Sequence, residues 1–427
     1  MRFVKDWLFD IPPPTCDKMP KMKKKSSLRS FLFNIYGYAF FDSLGFMYPV
    51  YMLFFASSGV SDTGASLLLI LWSLFVVFTQ IPVLFIANKF PRKPVLVISQ
   101  LLKLSCFLVW AVWPTFWGFA LGFLLWGIEW AIYNTVYEAM VYEELQARRR
   151  KDLYAKVRGR ASAISNAAYI IGCSGSLMIP LGYEVIAGAT CIAMLIATLF
   201  YANLKIQAKG TTKAKPQVMK SLRIAGATLR RAPYILYLMI LCNAVYAFSQ
   251  IDEYLGPIGV EIGFRPELVG GLFIGALLMR SLGGAMAGRF EKISDKKLFA
   301  GVSLIGVIMI SLSVVFTLPG LIFLAAFYYC YSIVQILIYA RFQHAAPSSG
   351  RTAFLSVYSF FEQGTVILSY MVMMAGIALS GGYRLSVLFT GVISILVGLW
   401  AMAYIPKKKK LYDRLTSFRS SRHATLK

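Results

Sequence analysis

The chain has 427 residues, 58% of them hydrophobic and only 15% charged, with 44 Lys and Arg against 19 Asp and Glu for a net charge of +25. A soluble domain of this size carries about 25% charged residues, so a mean hydropathy of +0.64 excludes a large soluble enzyme and a disordered chain alike. So apolar a chain cannot spread its lysines over a wetted surface, and the charge must be segregated.

Twelve apolar stretches, each long enough to cross about 30 Å of hydrocarbon as a helix of about 20 residues, fall at 31–55, 63–87, 94–113, 115–140, 161–181, 184–204, 234–256, 266–288, 298–317, 319–340, 352–379 and 384–405. The N-terminal segment, the loops 2–3, 4–5, 6–7, 8–9 and 10–11 and the C-terminal segment together hold 40 of the 44 Lys and Arg. The opposite loops hold only Arg265 and Arg384, while Lys103 and Arg280 fall inside spans. This is the positive-inside bias, and it predicts a multi-pass membrane protein with both termini in the cytoplasm. An even number of spans requires the same.

The basic runs Met22 to Lys25, Arg148 to Lys151 and Lys407 to Lys410 therefore read as topology determinants that also touch anionic lipid headgroups. No zinc-finger spacing or aromatic-interleaved basic motif points to nucleic acid. No cleavage site follows an apolar core near the start, so no removed signal peptide is expected. Cys16 lies in the N-terminal segment and Cys106, Cys173, Cys191, Cys242 and Cys330 in spans, with no C-x-x-C. His344 and His423 are the two histidines. Neither a disulfide framework, a metal site nor a cofactor is expected. H-E-x-x-H, G-x-S-x-G and the G-x-x-x-x-G-K-[ST] phosphate loop are all missing, which argues against an enzyme and an ATP-driven pump.

The longest polar stretch between spans, Lys205 to Pro233, holds eight Lys or Arg and divides the spans six and six; its Pro216–Arg231 part can lie on the membrane as a basic amphipathic helix. Ala87-Asn88-Lys89-Phe90 after the second span is repeated as Ala287-Gly288-Arg289-Phe290 after the eighth. Gly159-Arg160-Ala161 before Ser165 is repeated as Gly350-Arg351-Thr352 before Ser356. Matching motifs at matching places predict an all-α membrane protein of two pseudo-symmetric six-helix bundles with a cavity between them. The expected division is a cytoplasmic segment 1–30, a bundle 31–204, a central loop 205–233, a second bundle 234–405 and a basic tail 406–427.

The segment Gln80-Ile81-Pro82 … Ala87-Asn88-Lys89-Phe90-Pro91-Arg92-Lys93-Pro94 resembles the loop signature of the major facilitator superfamily of secondary transporters. Phe41-Asp42 … Tyr48-Pro49-Val50-Tyr51, Trp126-Gly127, Tyr137-Glu138-Ala139 to Tyr142-Glu143-Glu144-Leu145 and Arg351-Thr352-Ala353 are similar to a broad set of poorly characterised bacterial permeases of that superfamily. The resemblance covers residues 30–405 and implies alternating access, a small-molecule substrate and a monomer. Asn88 stands where the signature has an acidic residue and Pro91 where it has glycine, which implies a weakened latch with Arg92 and Lys93, since Asn carries no charge. The fifth span offers Gly172, Gly175, Pro180 and Gly182 without the Gly-Pro pair of many family antiporters.

An ionisable group in hydrocarbon costs about 2.5–3.5 kcal/mol or more, so each one is a candidate for function. Asp42 lies about eleven residues into the first span, Glu129 about fourteen into the fourth and Glu362 about ten into the eleventh, all near mid-membrane at 1.5 Å per residue. The resemblance places spans one, four, seven and ten around the cavity with two, five, eight and eleven beside them, so the three carboxylates can face water there. Asp42 and Glu129 are the preferred proton-coupling pair; the alternative is that one of them bridges Lys103 or Arg280, a structural role that suits Glu362 and Arg280 better. Arg280 can instead bind an anionic substrate group, and Lys103 reads as structural. Gln250, Asp252 and Glu253, ahead of Gly256-Pro257, are candidates for a polar outer mouth on a broken helix, or simply solvated. Glu138, Glu143 and Glu144 face Arg148–Lys151 and Arg158 as a candidate cytoplasmic gate of breakable ion pairs. Aromatics such as Tyr38, Trp126, Trp130 and Tyr133 serve packing or interface anchoring, or stack on a flat substrate.

The expected function is a proton-coupled antiporter exporting a small organic compound, drug-like or a secreted metabolite such as a siderophore. The alternative is a proton-coupled symporter importing a nutrient or metal chelate.

Overall fold

A computed structural model of the chain describes residues 28–207, 233–345 and 351–424. The N-terminal segment through residue 27, the Pro216–Arg231 stretch and the last three residues lie outside the described residues, as do the side chains of Asn88, Arg351 and Ser356.

Everything regular among the described residues is helical, and eleven helices are long and apolar enough to cross a membrane. The first span is missing from that set because it is interrupted. It runs as a helix over Leu28–Ser43, turns through 44–50 and resumes over Tyr51–Ser57, instead of continuing unbroken from 31 to 55. Gly45 and Pro49 are the local cause: one lacks the side chain that stiffens a helix and the other lacks an N–H. The turn is seated against the fifth span, where a Cβ on Gly175 would come within 2.0 Å of the Phe46 carbonyl oxygen. Only glycine permits that approach. The Met47 amide, freed from the helical ladder, donates to the Thr190 hydroxyl of the sixth span at 3.0 Å.

The second span is the helix Asp62–Lys89, the third Arg92–Val112, the sixth Tyr183–Ala202, the ninth Asp295–Val314, the tenth Leu321–Ala345 and the eleventh Arg351–Ser380. The fourth begins at Phe116, capped by the Thr115 hydroxyl accepting from the Gly118 amide at 3.4 Å, and runs to Ala147 with a π-helical turn over Tyr133–Tyr137. The fifth starts at Tyr154, ahead of the expected 161, and tightens into a 3₁₀ segment over Cys173–Leu181 before Gly182, whose φ of 100° ends it. The seventh comprises Pro233–Phe248, a 3₁₀ segment Ser249–Tyr254 and Leu255–Glu261, so its break precedes Gly256-Pro257. The eighth covers Gly270–Met286 with a 3₁₀ end Ala287–Phe290, and the twelfth runs from Arg384 to Ala424, past the expected end at 405.

The residues gather into two compact units: one holds those up to 54 and from 75 to 207, the other 55–74 with those from 233 on. The stretch 55–74 thus groups with the second half of the chain. In the first unit the third span packs on the sixth and the fourth, and the first on the fifth and sixth. The same pairings recur in the second unit, ninth with twelfth and tenth, seventh with eleventh and twelfth. Even the staples correspond. Ser165 donates to the Ala39 carbonyl at 3.1 Å, and Thr365 and Ser369 donate to the Asn243 and Ala247 carbonyls at 3.3 and 2.9 Å. The repeat seen in two short motifs therefore extends to helix packing.

Candidate functional site

The first unit holds a buried polar cluster contributed by the first, third and fourth spans. Asp42 sits at the end of the helix Leu28–Ser43, where the interruption begins. The Lys103 ammonium donates to Asp42 Oδ1 at 2.7 Å and Gln100 Nε2 donates to the same oxygen at 3.0 Å. Gln100 and Lys103 share a face of the third helix because they are three residues apart. Lys103 Nζ also lies 5.7 Å from the Tyr48 ring centroid and 5.9 Å from that of Trp126, two rings stacked at 5.6 Å. Such faces favour a cation electrostatically. Glu129 is the remaining member, 2% exposed, with Oε2 lacking a hydrogen-bond partner. It interacts with Asp42 and Lys103 through space. Asp42 therefore holds the ammonium, and Glu129 is a second carboxyl in its electrostatic neighbourhood with no ion pair of its own among the described residues.

The second unit holds a cluster of different balance. Arg280 Nη2 lies 2.7 Å from Asp252 Oδ2, the Tyr328 hydroxyl donates to Asp252 Oδ1 at 2.6 Å, and the guanidinium carbon lies 5.1 and 5.3 Å from the Tyr328 and Tyr331 ring centroids. Arg280 thus pairs with Asp252, not with Glu362 as depth alone suggested. The 3₁₀ segment over Ser249–Tyr254 carries Asp252, and it joins Arg280 as a partner there. Gln250 accepts from the Tyr370 hydroxyl at 2.9 Å, and Glu253 is half-buried. Glu362 is half-buried too, beside Tyr246 and Tyr358. Asn243 is 1% exposed, with both amide atoms unpartnered.

At the ends that carry the basic loops, several of the expected gate residues form ion pairs within the first unit, and the second unit has one ion pair that was not expected. Arg92 meets Glu143 at 2.7 Å, joining the start of the third span to the end of the fourth. In the second unit Asp295 at the start of the ninth span meets Arg341 on the tenth at 2.8 Å, the same clasp with its charges reversed. Arg158 pairs with Glu138, which also accepts from the Tyr154 hydroxyl at 3.0 Å. Glu144 is fully buried; it accepts from Arg148 at 2.8 Å and from the Gln207 amide at 2.8 and 3.0 Å, fixing the chain as it leaves the sixth span. Lys93 is half-buried.

Sequence reasoning overlooked Gln100 and Tyr328 and gave Lys103 only a supporting role. The available signal was spacing: Gln100 with Lys103, and Tyr328 with Tyr331, each place two polar groups one helical turn apart in an otherwise apolar run. Among the described residues, no group of His, Cys, Asp and Glu is arranged to hold a metal ion.

The sequence model of the Major Facilitator Superfamily matches residues 31–370. No curated protein matches the chain. Solved structures share the fold at low identity. The nucleoside transporter NupG superposes with a TM-score of 0.70 at 13% identity, covering 88% of this chain and 99% of that one. The POT family transporter PepTSo gives 0.68 at 12%, covering 90% and 99%. A bacterial homolog of the human lysosomal transporter Spinster, inward-facing and occupied, gives 0.66 at 12%, covering 91% and 98%.

Proposed function

The chain belongs to the Major Facilitator Superfamily, and from that premise we propose that it is a proton-coupled antiporter that expels a small organic cation across a bacterial inner membrane, with both termini in the cytoplasm. Membership makes it a secondary transporter of a small molecule. The observation that carries the finer reading is a buried site in which Asp42 holds the Lys103 ammonium while a second carboxyl, Glu129, has an oxygen without a hydrogen-bond partner.

With both carboxyls ionised, the cluster carries one uncompensated negative charge, and an unpaired charge away from water is costly. One proton on Glu129 balances it. A cationic centre of a substrate balances it equally well, and the two cannot do so together. Competition of proton and substrate for one charge vacancy is what exchange requires, because each must leave before the other binds. Asp42, already held by Lys103 and Gln100, keeps the ammonium in place, while Glu129 is the member that changes partner. The Tyr48 and Trp126 faces add attraction for a flat cation.

The test is transport by the purified chain in proteoliposomes loaded with ethidium, a flat aromatic cation. Acidifying the exterior is expected to speed ethidium loss from the lumen. Glu129→Gln is expected to abolish the effect of the gradient while leaving the protein folded in the membrane. Acid-driven uptake instead of loss would identify a symporter, and gradient-independent movement would end the proton-coupled reading.

A further inference from the structure

Glu129 is buried, so a proton must travel to reach it. The fourth span itself leads from Glu129 to Glu138, nine residues on, or about 13 Å along a helix. Between them lies the π-helical turn Tyr133–Tyr137. Such turns are rare and concentrate at functional positions, because the extra residue widens the helix and re-aims its side chains. Here Tyr133 and Tyr137 stack at 4.8 Å between centroids and 15° between planes. Tyr38 of the first span joins them, 6.5 Å from Tyr133 and 5.5 Å from Tyr137. Tyr201 of the sixth span stacks on Tyr38 at 3.9 Å. The hydroxyls of Tyr38 and Tyr201 are buried and have no partner of good hydrogen-bond geometry.

A packing role alone would be served by phenylalanine, without the cost of burying hydroxyls. The column also has chemically distinct ends. At one end are Glu129, Asp42 and Lys103. At the other, Arg158 acts electrostatically on Tyr133, lies 5.8 Å from the Tyr137 ring centroid and pairs with Glu138, each of those two side chains being about a third exposed.

We propose that Tyr38, Tyr133 and Tyr137 form a proton conduit joining Glu129 to the Glu138–Arg158 pair at the basic-loop end of the fourth span. It rests on the reading of Glu129 as the proton carrier. In each step a phenol oxygen accepts one proton and releases its own, directly or across one bridging water, so every tyrosine ends neutral and unchanged. The proton leaves Glu129 as a carboxylate and arrives on the Glu138 carboxylate, which Arg158 releases as the charge is lost. Asp42 and Lys103 on one side, and Tyr154 and Tyr201 on the others, hold the column in register without joining the transfer.

The experiment is a pH jump on the full chain in lipid nanodiscs, followed through the infrared carbonyl band of protonated carboxylic acid. The Glu129 contribution is the part that Glu129→Gln removes. Tyr133→Phe and Tyr137→Phe keep the rings; each is expected to slow the rise of that band by at least about tenfold with its amplitude unchanged. Tyr38→Phe provides the same test should either of those fail to fold. Tyr142→Phe, whose ring packs on Tyr154 outside the column, is expected to keep the original rate. Unchanged rates in the column variants, or equal slowing in Tyr142→Phe, would overturn the conduit and leave Glu129 as carrier. A band that Glu129→Gln leaves undiminished would overturn the carrier itself and the conduit with it.

Discussion

The two units answer the same problem, an ion pair within a membrane-spanning bundle, in opposite ways. In the second unit one guanidinium meets one carboxylate, a tyrosine hydroxyl takes the other carboxylate oxygen, and two rings cover the cation. The pair itself is balanced: its two charges cancel, and the Arg280 and Asp252 side chains keep about a third of their exposure, with Arg280 Nε left without a hydrogen-bond partner. In the first unit the Lys103 and Asp42 side chains are 6% and 18% exposed, and a second carboxyl is added with no second cation. A balanced pair holds helices together. An unbalanced one must borrow a charge from outside, and borrowing is what coupling needs.

The largest expected effect follows from removing the buried cation. Lys103→Met leaves Asp42 and Glu129 facing each other in a buried site and is expected to cost about 3–5 kcal/mol, read as a fall in thermal unfolding temperature in detergent. Restoring balance with Asp42→Asn in the same chain is expected to recover most of that loss; additive destabilisation would show that the two side chains do not act as one unit. Arg280→Met is the milder counterpart. Its half-buried, charge-assisted contacts predict about 1.5–3 kcal/mol, with Asp252 left able to take a proton or water. A loss equal to that of Lys103→Met would erase the contrast between the units. The terminal clasps are no more exposed than the Arg280 pair, so Arg92→Ala and Asp295→Ala are each expected to cost a similar amount, about 1.5–3 kcal/mol, and somewhat less in high salt. Salt-insensitive losses would mean that packing, not charge, holds those ends.

How much of this was legible in the sequence depends on how local each feature is. The spans were readable because hydropathy is a property of one segment, and the repeat because its motifs are short. The interruption of the first span was not, since Gly45 and Pro49 sit in an apolar run that hides a turn stabilised from outside by Gly175 and Thr190. Asp42 and Glu129 stood out as carboxyls in hydrocarbon. A bridge from one of them to Lys103 or Arg280 was among the readings, but that Lys103 takes Asp42, 61 residues away, is decided only by helix packing. The pairing of Asp252 with Arg280 was not legible, because it joins two helices that only packing brings together.

The reversed clasps bear on assembly. Both halves build a hairpin of neighbouring helices from similar apolar surface, and during insertion the ninth helix can meet the partner meant for the third. Such a mismatch would bring Asp295 to Glu143, or Arg92 to Arg341, like against like. The polarity of two modest ion pairs thereby discriminates the correct hairpin from its near copy, using repulsion where shape alone would not suffice.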